Sequence, residues 1–541
     1  MKIIFSIALI SNIVLSQPDS RFEAFDWTLY RQTGSINSIS EGYNYIYFGT
    51  ENAGILQFQL YKNRFGEPIT TAQGLSDNHI LAVHFDQNTG ILWAASESSI
   101  DYSYNAEGNW FHIDLDDTGL HREVLVQQIG SSNDYIWINA GSIFIKLDKV
   151  TGIVIGLLPL PDEEVIWSSK RERFLEILNA LKNYAIMDGW IINNNQFIDP
   201  YGKIIMPVTY YYGKNSDVYI GMEDGTIFTG DDQMETFYPH SFGLNNTDVT
   251  DIAFTKSEEF WITGRNNYNT EGITKYNYRI DDFRHIDFEY EINLNPKSFY
   301  SILEIEKEVW FGSNSTIAIY NKKKNYWREI TEANGIPGGM VTAMAEDTSS
   351  IWVGSTRGLA KISKITKHTE QIDFGNLLSL GRINDLEIVN GNLWIATDNY
   401  LFIYEQIKNL LIDFKSYGNI ENINERKNIF TGFTDLYQND DGIYASTQVG
   451  VLKYNIKDES WSVVVEPSAY TGSNVNNLVI ANKYCFIGTD NGIWQINLND
   501  GSSRLYDYPF IGSVQDMYIL DDTLLIGSEN GLIKYLWKKN L

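Results

Sequence analysis

The side chains best placed to bind a ligand are polar residues in recurrent loops. Arg265 and Arg357 are cations in an acidic chain, and a guanidinium can hold a carboxylate or sulfate through two parallel hydrogen bonds. Asp77, Asn78, Asn266 and Asn491 stand in loops of the same kind, where acids and amides could meet sugar hydroxyls or peptide backbone. The same residue types also fill tight turns for backbone reasons alone. These six residues are the ligand-binding candidates. Catalysis has no comparable support. With 69 Asp and Glu, two acids close in sequence say nothing about acid–base work. No Ser-x-Asp-x-Gly-x-Thr-Trp box occurs, and the seven histidines show no metal-ligand spacing. His79 and His84 are five apart on a predicted strand and point to opposite faces. The runs Asp86–Gly90 and Asn497–Gly501 are only faintly like calcium loops, since they lack the regular acids and the closing Glu. No glycine-rich phosphate cradle is present. No catalytic residue, metal ligand or cofactor is assigned.

These loops need a scaffold, and composition narrows it. The chain has 541 residues, more than a single core usually organises. Hydrophobic residues make up 43% and aromatics 14%, enough for a large core and biased toward strands. A net charge of -28 argues against nucleic-acid phosphates or anionic lipid as partner. The single cysteine, Cys485, excludes a disulfide framework and sits in an apolar strand pattern that predicts a buried thiol. Residues 1–16 read as a secretory signal peptide, with Lys2, an apolar run from Ile3 to Leu15, and Val14 and Ser16 before a cut at Gln17. Loss of Lys2 takes the charge from -28 to -29. The expected location is therefore periplasmic, cell-surface or secreted, with no membrane insertion after the leader is removed.

A repeat settles the fold class. An aromatic or Leu, an apolar residue, a small residue and Ser or Thr recur, followed by Gly and then Leu or Ile. Tyr47-Phe48-Gly49-Thr50, Trp352-Val353-Gly354-Ser355, Phe486-Ile487-Gly488-Thr489 and Leu525-Ile526-Gly527-Ser528 are the clearest copies. Looser copies begin at Trp93, Trp137, Tyr219, Trp261, Trp310, Trp394 and Tyr444. A period near 42 residues with several short strands per copy predicts an all-β protein, a β-propeller of about eleven four-stranded blades. Eleven exceed one usual ring, so two propellers are expected, over 17–235 and 236–541, the second with seven regular copies. A division into five and six, or one ring interrupted by the other, stays open. The long step between Trp137 and Tyr219 reads as an insertion over 150–189, after which Trp190 begins an outer strand, with an amphipathic helix through Phe174, Ile177, Leu178, Leu181 and Tyr184. Phe25–Tyr30 resembles an outer strand lacking its blade, and could complete the last one.

Several copies extend further. Gly74-Leu75-Ser76 leads through Ala82-Val83 to Trp93, Gly243-Leu244-Asn245 through Ile252-Ala253 to Trp261, and Gly335-Ile336-Pro337 through Ala343-Met344 to Trp352. This pattern resembles the two-component regulator propeller repeat over most of the chain. It also resembles the propeller part of a type IX secretion accessory protein. The resemblance implies an extracellular sensor-type propeller, although no kinase, DNA-binding or second membrane segment is found in the sequence. The expected function is recognition without catalysis, of a glycan, a peptide or an envelope protein, through one loop face. The alternatives are a lyase- or glycosidase-like enzyme acting at the channel mouth, and an envelope assembly scaffold. Two acids converging in one channel would favour the enzyme.

Overall fold

A computed structural model describes residues 23–540 apart from 105–108, 121–123, 173–183, 194–195, 232, 234–235, 256–257, 266–271, 288–297, 375–380, 468 and 471–472. The expected leader and all of the expected helix except its last residue, Tyr184, lie outside the described residues. Among those described, the strands form nine four-stranded, two five-stranded and one three-stranded sheet. The chain is an all-β protein of propeller type. Each repeat folds as a meander of neighbouring antiparallel strands, and its second strand carries the anchor, as in Ser350–Ser355. That strand is buried at every position, because blades cover both of its faces. The small residue in the anchor has a packing cause. A Cβ on Gly354 would lie 2.6 Å from Ile383 Cγ2, and one on Gly527 would lie 2.6 Å from Val249 Cγ1. Only glycine lets the next sheet come that close.

The inner strands Asp248–Phe254, Phe299–Glu304, Val341–Glu346, Ile383–Val389, Phe433–Asn439, Val475–Ala481 and Val514–Leu520 contact one another in sequence, and the last contacts the first. The final sheet contains only three strands from the C-terminal end of the chain. Its fourth is Trp27–Tyr30, antiparallel to Gly531–Tyr535 with Trp27 opposite Tyr535. A second group has inner strands Ile36–Glu41, Ala82–Phe85, Gln128–Ser131 and Pro207–Tyr212. The first of these contacts the second and the fourth, and the second contacts the third. Between the third and fourth runs a connecting segment. Ser168 N donates to Ile129 O, Ser169 N to Ile39 O and Glu172 N to Val208 O. The middle of this group is therefore filled with protein. We propose that the two groups are two rings, the smaller lying in sequence between the closing strand and the rest of the larger one.

The insertion differs from expectation. Val154–Leu158 pairs with Phe144–Asp148 as an outer strand, so that sheet runs past residue 150. Trp190 leads into Ile191–Asn193 of a separate three-stranded sheet, not into an outer strand of the next blade. An aromatic followed by two Ile reads alike in either setting, and only the pairing partner separates them. Cys485 is fully buried, and burial pushes its thiol far up. A thiol reagent should leave the folded protein unlabelled and react once it is unfolded in denaturant; labelling without denaturant would contradict this packing.

Candidate ligand-binding channel

All seven inner strands of the larger group share one irregularity. The pairing register slips between Val249 and Asp251, Phe299 and Ser301, Val341 and Ala343, Ile383 and Asp385, Phe433 and Asp435, Val475 and Asn477, and Val514 and Asp516. Each slip is a bulge, which re-aims side chains that strict alternation would send to opposite faces. As a result Thr250 and Asp251, Asn384 and Asp385, Thr434 and Asp435, Asn476 and Asn477, and Gln515 and Asp516 line one cavity of about 410 Å³. Tyr300, Arg265, Arg382 and Asp398 also line it.

The cavity has two polar layers. In the outer one, Thr250 Oγ1 donates to Phe299 O at 2.6 Å, Asn384 Nδ2 to Phe433 O at 2.8 Å and Asn476 Nδ2 to Val514 O at 2.8 Å. These side chains spend donors on the next inner strand. In the deeper layer, carboxyls accept from the next strand. Asp516 Oδ2 accepts from Ile252 N at 2.9 Å, Asp385 Oδ2 from Leu436 N at 2.9 Å and Asp435 Oδ2 from Leu478 N at 2.7 Å. Asp251 accepts from Ile302 N in the same way. The acids therefore staple neighbouring sheets, and each satisfies a backbone N–H that the bulge exposes.

The carboxyls also meet one another. Asp385 acts electrostatically on Asp435, and Asp251 on Asp516. Like charges buried side by side resist ionising together, which favours the protonated form of these acids. Asn477 joins the pairs, with Nδ2 donating to Asp435 Oδ2 at 3.0 Å and to Asp516 Oδ1 at 3.1 Å. An arc thus runs through five consecutive inner strands. Burial pushes Asp385 up to about 7, and burial with Asp385 pushes Asp435 well above the usual carboxylate range. Burial and Asp251 do the same to Asp516. Glu387, two residues beyond Asp385 on the same strand face, is pushed to about 8 by burial and by Asp385.

The six sequence candidates are scattered. Arg265 lines the cavity, with Nε 2.9 Å and Nη2 3.3 Å from the Asp248 carboxylate. Arg357 is exposed on a turn, its N–H donating to Ser355 Oγ at 3.0 Å, and it is not among the lining residues. Asn491 is likewise exposed, its N–H donating to Thr489 Oγ1 at 3.2 Å. Asp77 and Asn78 belong to the smaller group. Asp77 accepts from His79 N at 2.9 Å, and the buried Asn78 amide both accepts from Thr71 N and donates to Thr71 Oγ1. Asn266 lies outside the described residues. Among those described, no group of His, Cys, Asp and Glu could hold a metal ion.

The inner-strand acids carry a readable signal that loop-based reasoning passes over. Val249-Thr250-Asp251-Ile252, Ile383-Asn384-Asp385-Leu386, Phe433-Thr434-Asp435-Leu436 and Val514-Gln515-Asp516-Met517 each put two polar residues between two apolar ones. That breaks strand alternation at the same place in each repeat, as a bulge requires.

No family model and no curated protein matches the chain. Solved structures do match. One is the extracellular domain of BT4673 from B. thetaiotaomicron, named as a two component system, at 12% identity and TM-score 0.44, covering 92% of this chain and 69% of that one. PorZ, a surface component of the type-IX secretion system of Porphyromonas gingivalis, is 11% identical with TM-score 0.36, covering 94% and 87%. Virginiamycin B lyase from Staphylococcus aureus is 15% identical with TM-score 0.43, covering 54% and 96%.

Proposed function

We propose that the protein is an exported recognition module that binds a glycan at the mouth of the seven-strand channel. The observation behind this reading is the cavity lining. A hydroxyl and two amides from three of the seven inner strands have committed donors to the protein, so they present acceptor oxygens to a ligand rich in O–H donors. Arg265 and Arg382 at the same mouth suit an acidic group on that ligand. The deeper carboxyls serve as structural staples in this reading, because their oxygens already accept backbone N–H bonds.

A glycan array probed with the mature chain tests the proposal. Arg382→Ala together with Gln515→Ala should weaken any hit by about tenfold or more. If the array stays blank while one envelope protein co-purifies equally with the variant and the parent, a peptide or scaffold role replaces the glycan. The convergence of four carboxyls in one channel also gives the enzyme reading a footing. Mass analysis of array-positive glycans after incubation decides it, since products lost in Asp435→Asn would establish a lyase or glycosidase.

A further inference from the structure

Each of the seven bulges inserts one residue into an inner strand of the larger group. Six of these seven residues are Thr, Asn or Gln, and the seventh is Tyr300. Among the described residues that line the channel cavity, Tyr300 is the one aromatic. The hydrogen bonds show why a ring can stand there. Thr250 and Asn384, the inserted residues of their own strands, donate to the carbonyls of Phe299 and Phe433 on the next strand. By the same rule Tyr300 would donate to Val341 O. Ser301 takes that place, its Oγ donating to Val341 O at 3.0 Å. Tyr300 is thereby released from holding the sheets together. It is half-buried, and among the described residues its hydroxyl makes no hydrogen bond and its ring no ring contact.

The sector around Tyr300 is also uncharged. The register that holds Asp251, Asp385, Asp435 and Asp516 on other strands holds Ser301 beside Tyr300 and Ala343 on the next strand. Met340 and Thr342, from that next sheet, line the cavity too. The channel is therefore two-sided, with an apolar ring on one side and directional polar groups on the other. A pyranose needs both: a face of axial C–H bonds packs on an aromatic ring, while equatorial hydroxyls bond to amides and hydroxyls.

We propose that Tyr300 is the platform on which the glycan stacks. It selects pyranosides with one unbroken face of axial C–H bonds, as in β-glucosides and β-galactosides. In α-mannosides axial oxygens interrupt both faces. This inference rests on the glycan reading above. The test is an array printed with β-glucans, β-galactans and α-mannans, probed with the parent, Tyr300→Phe and Tyr300→Ala. The parent should bind β-glucans or β-galactans. Tyr300→Phe should stay within about threefold of the parent, and Tyr300→Ala should lose about tenfold or more. Since the Tyr300 side chain bonds to no described residue, Tyr300→Ala should melt with the parent, which separates lost binding from lost folding. Equal binding by Tyr300→Ala, equal loss in both variants, or parent hits confined to sugars lacking such a face overturn the platform and leave the glycan reading standing. A parent that binds no glycan overturns both.

Discussion

A chain that begins at Gln32 should unfold well below the temperature of one that begins at Gln17. The strand Trp27–Tyr30 is the outer strand of the last sheet, and no other described segment occupies that edge. Trp27, Leu29 and Tyr30 are 1%, 0% and 0% exposed. Trp27 stacks on Tyr535 at 3.8 Å, Gln73 Nε2 donates to Trp27 O at 2.6 Å, and Leu536 N donates to Asp26 O at 2.9 Å. Burying each large side chain contributes about 2–3 kcal/mol, so losing all three removes on the order of 6 kcal/mol or more. The truncation also leaves Gly531–Tyr535 as an apolar open edge, which invites aggregation. Thermal unfolding of the two chains reads the difference. A synthetic peptide spanning residues 23–34 should restore part of it, whereas equal melting temperatures would show that the last sheet does not need this strand.

Stability should fall as pH rises from about 5 to about 9. The sign follows from the channel. Asp385 titrates near 7 and Glu387 near 8, both above the ordinary carboxylate range, and Asp435 and Asp516 are also raised. The folded state therefore holds protons that the unfolded chain has released. The stability they supply is complete below the unfolded values near pH 4 and is lost as pH climbs through 7 and 8. Each such proton gives a slope of up to about 1.4 kcal/mol per pH unit. Asp435→Asn mimics the protonated partner: its oxygen can still accept from Leu478 N and Asn477, and its amide can donate to Asp385. The variant should flatten the profile between pH 6 and 9 by about one proton's slope. Denaturant unfolding across that range measures it, and parallel profiles for parent and variant would refute the raised Asp435 carboxyl.

The propeller fold was legible because its cause is local and repeated. Trp352-Val353-Gly354-Ser355 recurs in kindred forms since every blade solves one packing problem: an aromatic buried on both sides and a glycine where the next sheet approaches. The same logic made Phe25–Tyr30 readable as an outer strand without a blade, and its partner is indeed the last sheet. The insertion was less legible. Trp190 could belong to a blade or to a decoration, because an aromatic near a strand start carries no mark of its partner.

For the channel, sequence determined the ingredients and tertiary structure decided their meeting. Asp251, Asp385, Asp435 and Asp516 each stand in a repeated polar step between apolar residues, which one chain position can display by itself. That they act on one another depends on a closed cycle of strands, which brings Asp251 to Asp516 across 265 residues. Arg265 and Arg357 look alike in sequence, yet one lines the cavity and the other stands on an exposed turn. Residue type follows from local backbone and burial needs, and so can be read along the chain. Convergence of side chains is a long-range property of ring closure, and no local pattern encodes it.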